Sequence, residues 1–124
     1  MVVGLGLDVC GVERIRQILA GPRAERFLAR VYTEAERALC AARADAAAAY
    51  AARFAAKEAF AKALGAPAGL RWLDIEVVRT SGAPSLRLTG RAQEELQRRG
   101  AHVLLSLTHD AGVAAAVVVL QQAN

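Results

Sequence analysis

Acidic and basic side chains in two separate segments have the types and spacing of a site for a cation and a diphosphate. Asp8 ends a short apolar stretch, "VVGLGLDV", and Glu58 lies in an alanine-rich stretch, "AARFAAKEAFAKALG", together with Lys57 and Lys62. A divalent ion commonly takes one or two carboxylates from the protein and further oxygens from substrate phosphates. We therefore predict that Asp8 and Glu58 meet in the fold and that the neighbouring lysine side chains bind phosphate oxygens.

The alanine-rich stretch reads as a helix that presents its charges on two ridges. At about 100° per residue, Arg53 and Lys57 share one ridge, and Glu58 and Lys62 share another roughly 140° away. Two like charges at i,i+4 cost a few tenths of a kcal/mol, so Arg53 and Lys57 together suggest a phosphate or carboxylate ligand. Glu58 and Lys62 have the favourable order for an ordinary surface salt bridge, worth about 0.2–0.5 kcal/mol, and that alternative stays open.

Two other patterns with chemical meaning are incomplete. Gly4 and Gly6 precede Asp8, but the GxGxxG dinucleotide fingerprint fails at Val9, and the chain has no Walker A motif. The stretch "SLTHD" contains the letters of a hydrolytic triad, yet alternation along a strand directs Ser106 and His109 to opposite faces. We therefore expect neither a P-loop enzyme nor a serine hydrolase.

Length and composition indicate one globular domain spanning residues 1–124. The chain is 55% hydrophobic, largely through alanine, with one Trp, two Tyr and three Phe. Cys10 and Cys40 lie far apart without the spacing of a zinc site or a disulfide framework, so both are interpreted as small buried hydrophobes. No apolar run approaches a membrane span and the N-terminus lacks a signal-peptide pattern, so we expect a cytoplasmic protein without a membrane partner.

The formal net charge of +4 favours an acidic partner. The arginines are scattered and the aromatic residues that stack single-stranded bases are missing, so nucleic acid is not the expected partner. A non-catalytic basic module that binds nucleotides or other polyanions remains the alternative to an enzyme.

The pattern of elements predicts an α+β fold with the order β-α-α-α-β-β-α-β-β. Thr33 followed by Glu36 has the pattern of a capping box, and Asp45 is a possible cap at a break before the alanine helix, which Gly65 closes. Alternating apolar residues in "LDIEVVR" and a turn at "SGAP" indicate a hairpin, and residues 110–112 form the turn of another. This order favours a mainly antiparallel sheet with one face covered by the alanine helix.

The stretches "GLGLDVCGVERI", "ARFAAKEAFAKALG", "LDIEV", "SGAP" and "SLTHD", in this order and spacing, resemble the holo-acyl-carrier-protein synthases, the small stand-alone 4'-phosphopantetheinyl transferases. The resemblance covers nearly the whole chain. It implies a transferase that moves the phosphopantetheine arm of coenzyme A to a serine of an apo acyl carrier protein of fatty acid or polyketide synthesis. It also implies magnesium as cofactor and 3',5'-ADP as the product released.

The resemblance assigns roles to the charged residues described above. Asp8 and Glu58 would hold the magnesium ion on the coenzyme A diphosphate. Lys57 and Lys62 would stabilise diphosphate oxygens, and Arg53 and His109 would bind the nucleotide, plausibly at its 3'-phosphate. Further predicted coenzyme A residues are Gly65, Gly82, Pro84 and Ser106. The general base for the carrier serine is Asp110, Glu58 or a water on the metal ion, with Asp110 preferred because it neighbours His109.

Two partner surfaces also follow from the resemblance. The segment "ERIRQILAGPRAERF" would meet the acidic recognition helix of the carrier protein through Arg14, Arg16, Arg23 and Arg26, although ordinary solvated arginines are an alternative at each position. Members of the family commonly form homotrimers that hold coenzyme A between subunits, so a homotrimer is expected here.

Overall fold

A computed structural model describes residues 1–79 and 81–123. It contains five strands, five α-helices and one short 3₁₀ helix at Trp72–Asp74. The strands are β1 (Val2–Gly11), β2 (Ile75–Val78), β3 (Ser85–Leu88), β4 (Ala101–Asp110) and β5 (Val113–Gln122). The helices are α1 (Val12–Ala20), α2 (Ala24–Val31), α3 (Glu34–Ala41), α4 (Ala46–Ala63) and α5 (Gly90–Arg98).

The strands form two antiparallel sheets, which confirms the predicted α+β class with antiparallel pairing. The main sheet has the order β1-β5-β4, and the second sheet is the β2-β3 hairpin. A two-residue turn of Ala111 and Gly112, both with positive φ, joins β4 to β5, as the sequence predicts. The strand predicted from Leu73 begins only at Ile75, because the 3₁₀ turn takes up the residues before it.

Helix α4 covers the inner face of the main sheet, as predicted from its alanines. Ala51, Ala55, Ala56 and Ala59 are fully buried, and small side chains let a helix lie close to a sheet. The contact is closest at β1, where a Cβ on Gly6 would lie 1.8 Å from the backbone oxygen of Ala59. Gly4 and Gly6 therefore form the part of β1 against which α4 packs most closely.

Local capping sets the ends of the helices around α4. The predicted capping box is present: Thr33 Oγ1 accepts from the backbone of Glu36, and the Glu36 carboxylate accepts from the backbone of Thr33. Asp45 Oδ1 accepts from the Ala48 amide at 3.2 Å, so α3 and α4 are separate and four helices, not three, follow β1. Gly65, with φ of +79°, follows the end of α4.

The other face of the main sheet, which we call the outer face, carries exposed apolar side chains. They come mainly from β1, with one each from β4 and β5: Val2, Leu5, Leu7, Val9, Leu104 and Val113. In the part of the chain that the structure describes, no helix combines the length and apolarity needed to cross a membrane.

Candidate functional site

The close contact between α4 and β1 brings the two predicted metal ligands to the same place. Asp8 points toward α4, on the same face of β1 as Gly6, and its side chain is 15% exposed. Glu58 precedes Ala59, the helix residue that rests on Gly6. Lys62, one turn farther along α4, donates to Asp8 Oδ1 at 2.9 Å and to the Leu7 carbonyl at 3.1 Å.

The charges in this cluster act on one another. The pKa of Glu58 is raised, first because burial disfavours its charged form and then because Asp8 is a nearby negative charge. The charges of Lys62 and Arg14 oppose this shift. Lys62 forms its ion pair with Asp8, so the simple helical salt bridge from Glu58 to Lys62 is not the arrangement in the structure.

The donor set of this cluster suits a hard divalent cation. Two carboxylates from different elements lie close enough for the charge of Asp8 to act on Glu58, and such oxygen donors are the ones that magnesium takes from a protein. Across residues 1–79 and 81–123, no group of three or more His, Cys, Asp or Glu side chains could hold a metal ion. A cation here would therefore take two protein carboxylates and complete its shell with substrate oxygens and water.

Lys57 does not belong to this cluster, and the predicted contact of Lys57 with diphosphate oxygens is wrong. Its side chain is 0% exposed, and its Nζ donates to Glu36 Oε1 at 2.8 Å and to the carbonyls of Trp72 and Ile75. The other oxygen of Glu36 accepts from the Val77 amide at 2.9 Å. The Lys57–Glu36 pair thus ties α4 to α3 and β2, and all its donors are already used within the chain.

Arg53 and His109 lie together in a second place, which we call the basic pocket. This pocket has a volume of about 390 Å³, and its polar lining is mainly cationic. Its charged and polar lining residues are Arg43, Asp45, Arg53, Arg79, Thr108 and His109. Arg53 is 5% exposed, yet within the described residues its Nε has no hydrogen-bond partner. A buried guanidinium with an unused donor favours an anionic ligand in this pocket.

Sequence reasoning missed two arginines of the basic pocket. Arg43 lies in the break between α3 and α4, and Arg79 directly follows β2. Their only signal in the sequence is that each stands at the end of an element, where a side chain is free to turn toward a site. Helical periodicity cannot find them, because neither residue lies on a helix.

Three predicted residues of "SLTHD" divide between the two faces of β4. His109 lines the basic pocket with Asp45 and Ala48 of α4, whereas Ser106 is exposed on the outer face with Leu104. Within one chain Ser106 and His109 therefore lie on opposite faces of the sheet, as strand alternation predicts, and the contact of Ser106 with coenzyme A stays a prediction. Asp110, the preferred general base, follows His109 at the turn and is exposed.

The predicted turn residues lie at surface positions. Gly65 and Gly82 have positive φ, and a Cβ on either would meet nothing within 4 Å. Pro84 follows Gly82 in the connection that leads into β3. These positions leave space for a ligand to approach the backbone, and their contact with coenzyme A stays a prediction.

The group of Asp8, Glu58 and Lys62, which we call the acidic cluster, and the basic pocket lie at different edges of the main sheet. Asp8 belongs to β1 and His109 to β4, and β5 runs between them. Two strand spacings amount to roughly 10 Å. On α4, Arg53 and Glu58 are about 140° apart around the helix axis. A single ligand that touches both places in one chain would have to pass around α4.

A third surface is a basic groove between α1 and α2. It is lined by three of the four predicted carrier-binding arginines, with Arg30 as one that the prediction missed. The lining residues that carry charge are Arg14, Arg23, Arg26 and Arg30. Arg16 lies elsewhere: it pairs with Glu13 at 3.1 Å and with Asp45 at 3.3 Å. Because two positions along a helix differ by about 200°, Arg14 and Arg16 cannot face the same groove.

Stacked aromatic rings connect the basic groove to the acidic cluster. Phe54, one turn before Glu58 on α4, stacks on Trp72 with ring centroids 5.2 Å apart, and Phe27 of the groove packs against Phe54 at 6.2 Å. The guanidinium of Arg14 lies 5.8 Å from the Phe54 ring centroid. A partner in the groove would therefore reach the acidic cluster along an apolar wall.

Comparison with known proteins gives consistent matches along the chain. A family model described as the 4'-phosphopantetheinyl transferase superfamily matches residues 4–118. A holo-[acyl-carrier-protein] synthase of Myxococcus xanthus (strain DK1622) is 67% identical over 118 residues, which cover 95% of this chain and 94% of that protein.

Two solved structures show the same similarity. The crystal structure of Helicobacter pylori holo-[acyl-carrier-protein] synthase in complex with coenzyme A has a TM-score of 0.78 and 31% identity, and covers 94% of this chain and 99% of that one. A holo-(acyl-carrier-protein) synthase from Bacillus anthracis str. Ames in complex with CoA (3',5'-ADP) has a TM-score of 0.79 and 34% identity, with 99% of each chain covered.

Proposed function

The chain belongs to the 4'-phosphopantetheinyl transferase superfamily, and from this membership we propose how its site transfers the phosphopantetheine arm of coenzyme A to an apo acyl carrier protein. The activity is that of a holo-[acyl-carrier-protein] synthase, as in its relatives, and the predicted family resemblance is confirmed. The observation that carries the assignment of the site is the meeting of Asp8, Glu58 and Lys62 where α4 rests on β1.

In the proposed reaction, the carrier serine Oγ attacks the β-phosphorus of the coenzyme A diphosphate. The bond from that phosphorus to the bridging oxygen breaks, 3',5'-ADP leaves, and the serine proton passes to a general base. Lys62 is placed to stabilise diphosphate oxygens, because its half-exposed ammonium can leave Asp8 for an incoming anion. Asp8 and Glu58 would hold the magnesium ion, which would supply charge neutralisation on the diphosphate.

The basic pocket is proposed to bind the nucleotide end of coenzyme A. Its unused Arg53 donor and the adjacent His109 suit a phosphate monoester such as the 3'-phosphate, with Arg43 and Arg79 completing the charge. The glycine turn at Gly82, on the same β2–β3 connection as Arg79, leaves room for the adenine.

A homotrimer would bring the acidic cluster of one subunit to the basic pocket of the next. Two features support it: the two places lie at different edges of the main sheet, and the outer face is apolar and exposed. Coexpression of Asp8→Ala with His109→Ala tests this arrangement, because mixed trimers contain interfaces with both residues intact. We expect each variant alone to be nearly inactive and the mixture to regain activity; a mixture as inactive as its parts would favour a site within one chain.

The basic groove is proposed to receive the acidic recognition helix of the carrier protein through Arg14, Arg23 and Arg26, with Arg30 added. The aromatic wall beside Phe54 would then guide the carrier serine toward the acidic cluster. We propose the cytoplasm as the compartment, which agrees with the free thiols of Cys10 and Cys40.

The function is tested by incubating the protein with coenzyme A, magnesium and an apo acyl carrier protein. Mass spectrometry should show the carrier heavier by one phosphopantetheine arm, and 3',5'-ADP should appear in equal amount. Serine→Ala at the carrier's acceptor position is the control and should gain no mass. If the carrier binds but never gains the arm, the protein is a basic binding module and the proposed chemistry is refuted.

A further inference from the structure

Lys62 occupies an unusual position for a residue that is expected to bind substrate phosphate. Its Nζ donates to Asp8 Oδ1 at 2.9 Å and to the Leu7 carbonyl at 3.1 Å. The Asp8 side chain is 15% exposed and the Lys62 side chain 54%. The ammonium therefore stands at the mouth of the cluster, on the carboxylate that would bind the cation.

A cation on Asp8 and the ammonium on Asp8 repel each other. Both would lie within a few ångströms of the same carboxylate, where two positive charges interact strongly in a partly buried site. Arg14 also faces Glu58 as a nearby positive charge. Two carboxylates and two cations already balance in this cluster, so a divalent cation alone gains little there.

A diphosphate changes this balance because it offers Lys62 another anion. Lys62 lies in the last turn of α4, next to the final helical residue Ala63, so its side chain can swing without disturbing the buried face of the helix. Once Lys62 has moved to the diphosphate, both Asp8 and Glu58 are available to the cation.

We propose that Lys62 couples the two ligands, so that the divalent cation binds tightly only together with coenzyme A. The proposal rests on the proposed function, in which Asp8 and Glu58 hold the cation. By thermodynamic linkage the cation strengthens coenzyme A binding by the same factor. Lys62 thereby keeps the acidic cluster from holding a metal ion when no substrate is bound.

The experiment measures Mn²⁺ binding by electron paramagnetic resonance, with and without saturating coenzyme A and without a carrier protein. The quantity compared is the ratio of the two affinities in the wild type and in Lys62→Met, with Lys62→Gln as a second variant. Arg87→Met removes one positive charge from β3, where Arg87 is exposed, and is the matched charge control.

We expect coenzyme A to raise the Mn²⁺ affinity of the wild type and of Arg87→Met at least tenfold. In Lys62→Met the affinity for Mn²⁺ alone should rise several-fold, and the ratio should fall at least threefold. If Lys62 stayed on Asp8 in the ternary complex, its removal would strengthen both affinities equally. An unchanged or larger ratio in both Lys62 variants therefore overturns the coupling.

The same data separate this proposal from the proposed function. If the wild type transfers the arm to the carrier and the ratio does not depend on Lys62, only the coupling is refuted. If coenzyme A does not affect Mn²⁺ binding in the wild type and no arm is transferred, the proposed function itself fails and the coupling fails with it.

Discussion

Replacing Gly6 by alanine should push α4 away from β1 and so displace the residues of the acidic cluster. The new Cβ would lie 1.8 Å from the Ala59 backbone oxygen, 2.8 Å from its carbonyl carbon and 2.9 Å from the Ala63 nitrogen. All three are backbone atoms, so no side chain can turn away to make room. Ordinary contacts begin near 3.4 Å, so α4 would have to retreat by about 1.6 Å, the difference between 3.4 and 1.8 Å.

That retreat has two expected costs. Overpacking of this kind lowers the free energy of unfolding by about 1–3 kcal/mol. Glu58 and Lys62 flank Ala59 and would move with α4 away from Asp8, and a misplacement of about 1 Å can cost roughly 10²-fold in rate. We therefore expect Gly6→Ala to lose about 1–3 kcal/mol or more in chemical denaturation and about 100-fold in arm transfer per folded molecule.

Two other glycines of β1 make the experiment a graded series. Gly4→Ala meets the Ala63 oxygen at 2.5 Å and should show a smaller loss of both properties. Gly11→Ala meets nothing within 4 Å and has an extended backbone, so it should lose less than about 1 kcal/mol and keep its transfer rate. A Gly6→Ala protein with wild-type stability and rate would refute the reasoning that the packing of α4 on Gly6 determines the geometry of the acidic cluster.

Three further predictions concern charged residues. Lys57→Met should lower the free energy of unfolding by about 3–5 kcal/mol in chemical denaturation, because Glu36 would stay buried without its partner; a loss below 1 kcal/mol would contradict the role of the pair. Glu58→Gln should raise the free energy of unfolding at neutral pH. The pKa of Glu58 is raised above the ordinary 4.5 in the folded protein, which therefore binds the Glu58 proton more tightly than the unfolded chain does. At neutral pH the charged carboxylate thus destabilises the fold, and the neutral glutamine removes this cost. In denaturation at a series of pH values, that gain should disappear as the pH falls through this pKa and below 4.5. A gain of equal size at acid pH would show that neither the burial of the charged carboxylate nor its repulsion from Asp8 is the source. Arg53→Gln should raise the KM for coenzyme A roughly 10- to 100-fold in steady-state kinetics and change the KM for the carrier little. If the wild type and the variant prefer coenzyme A over dephospho-coenzyme A equally, the contact of Arg53 with the 3'-phosphate is refuted.

The sequence predicted what local signals control. The capping box at Thr33, the cap at Asp45 and the end of α4 before Gly65 depend on neighbours within a few residues, and all three are in the structure. The packing of α4 on the sheet follows from composition, because a helix face of alanines can lie close to a sheet. The meeting of Asp8 and Glu58, which are 50 residues apart, was predicted from residue types at a strand end and on the covering helix, and the family resemblance then named the ligand.

The sequence failed where a partner comes from a distant element. Lys57 is next to Glu58 and in register with Arg53, so spacing alone groups it with the site. Its true partner, Glu36, looks fully explained by the capping box, and only the packing of α3 against α4 reveals its second role. Arg79 was missed for the same reason, because the hairpin next to it approaches the basic pocket only in the folded chain.

The alanine face of α4 also determines how much the site can vary in shape. Alanine and glycine have no side-chain rotamers to lose, so the contact of Ala59 and Ala63 with Gly4 and Gly6 forms with almost no side-chain entropy cost. For the same reason it has no alternative side-chain arrangements through which α4 could shift on β1 while staying packed. The acidic cluster therefore adjusts to a substrate through the side chains of Asp8, Glu58 and Lys62, over a backbone that is already closely packed before any substrate arrives.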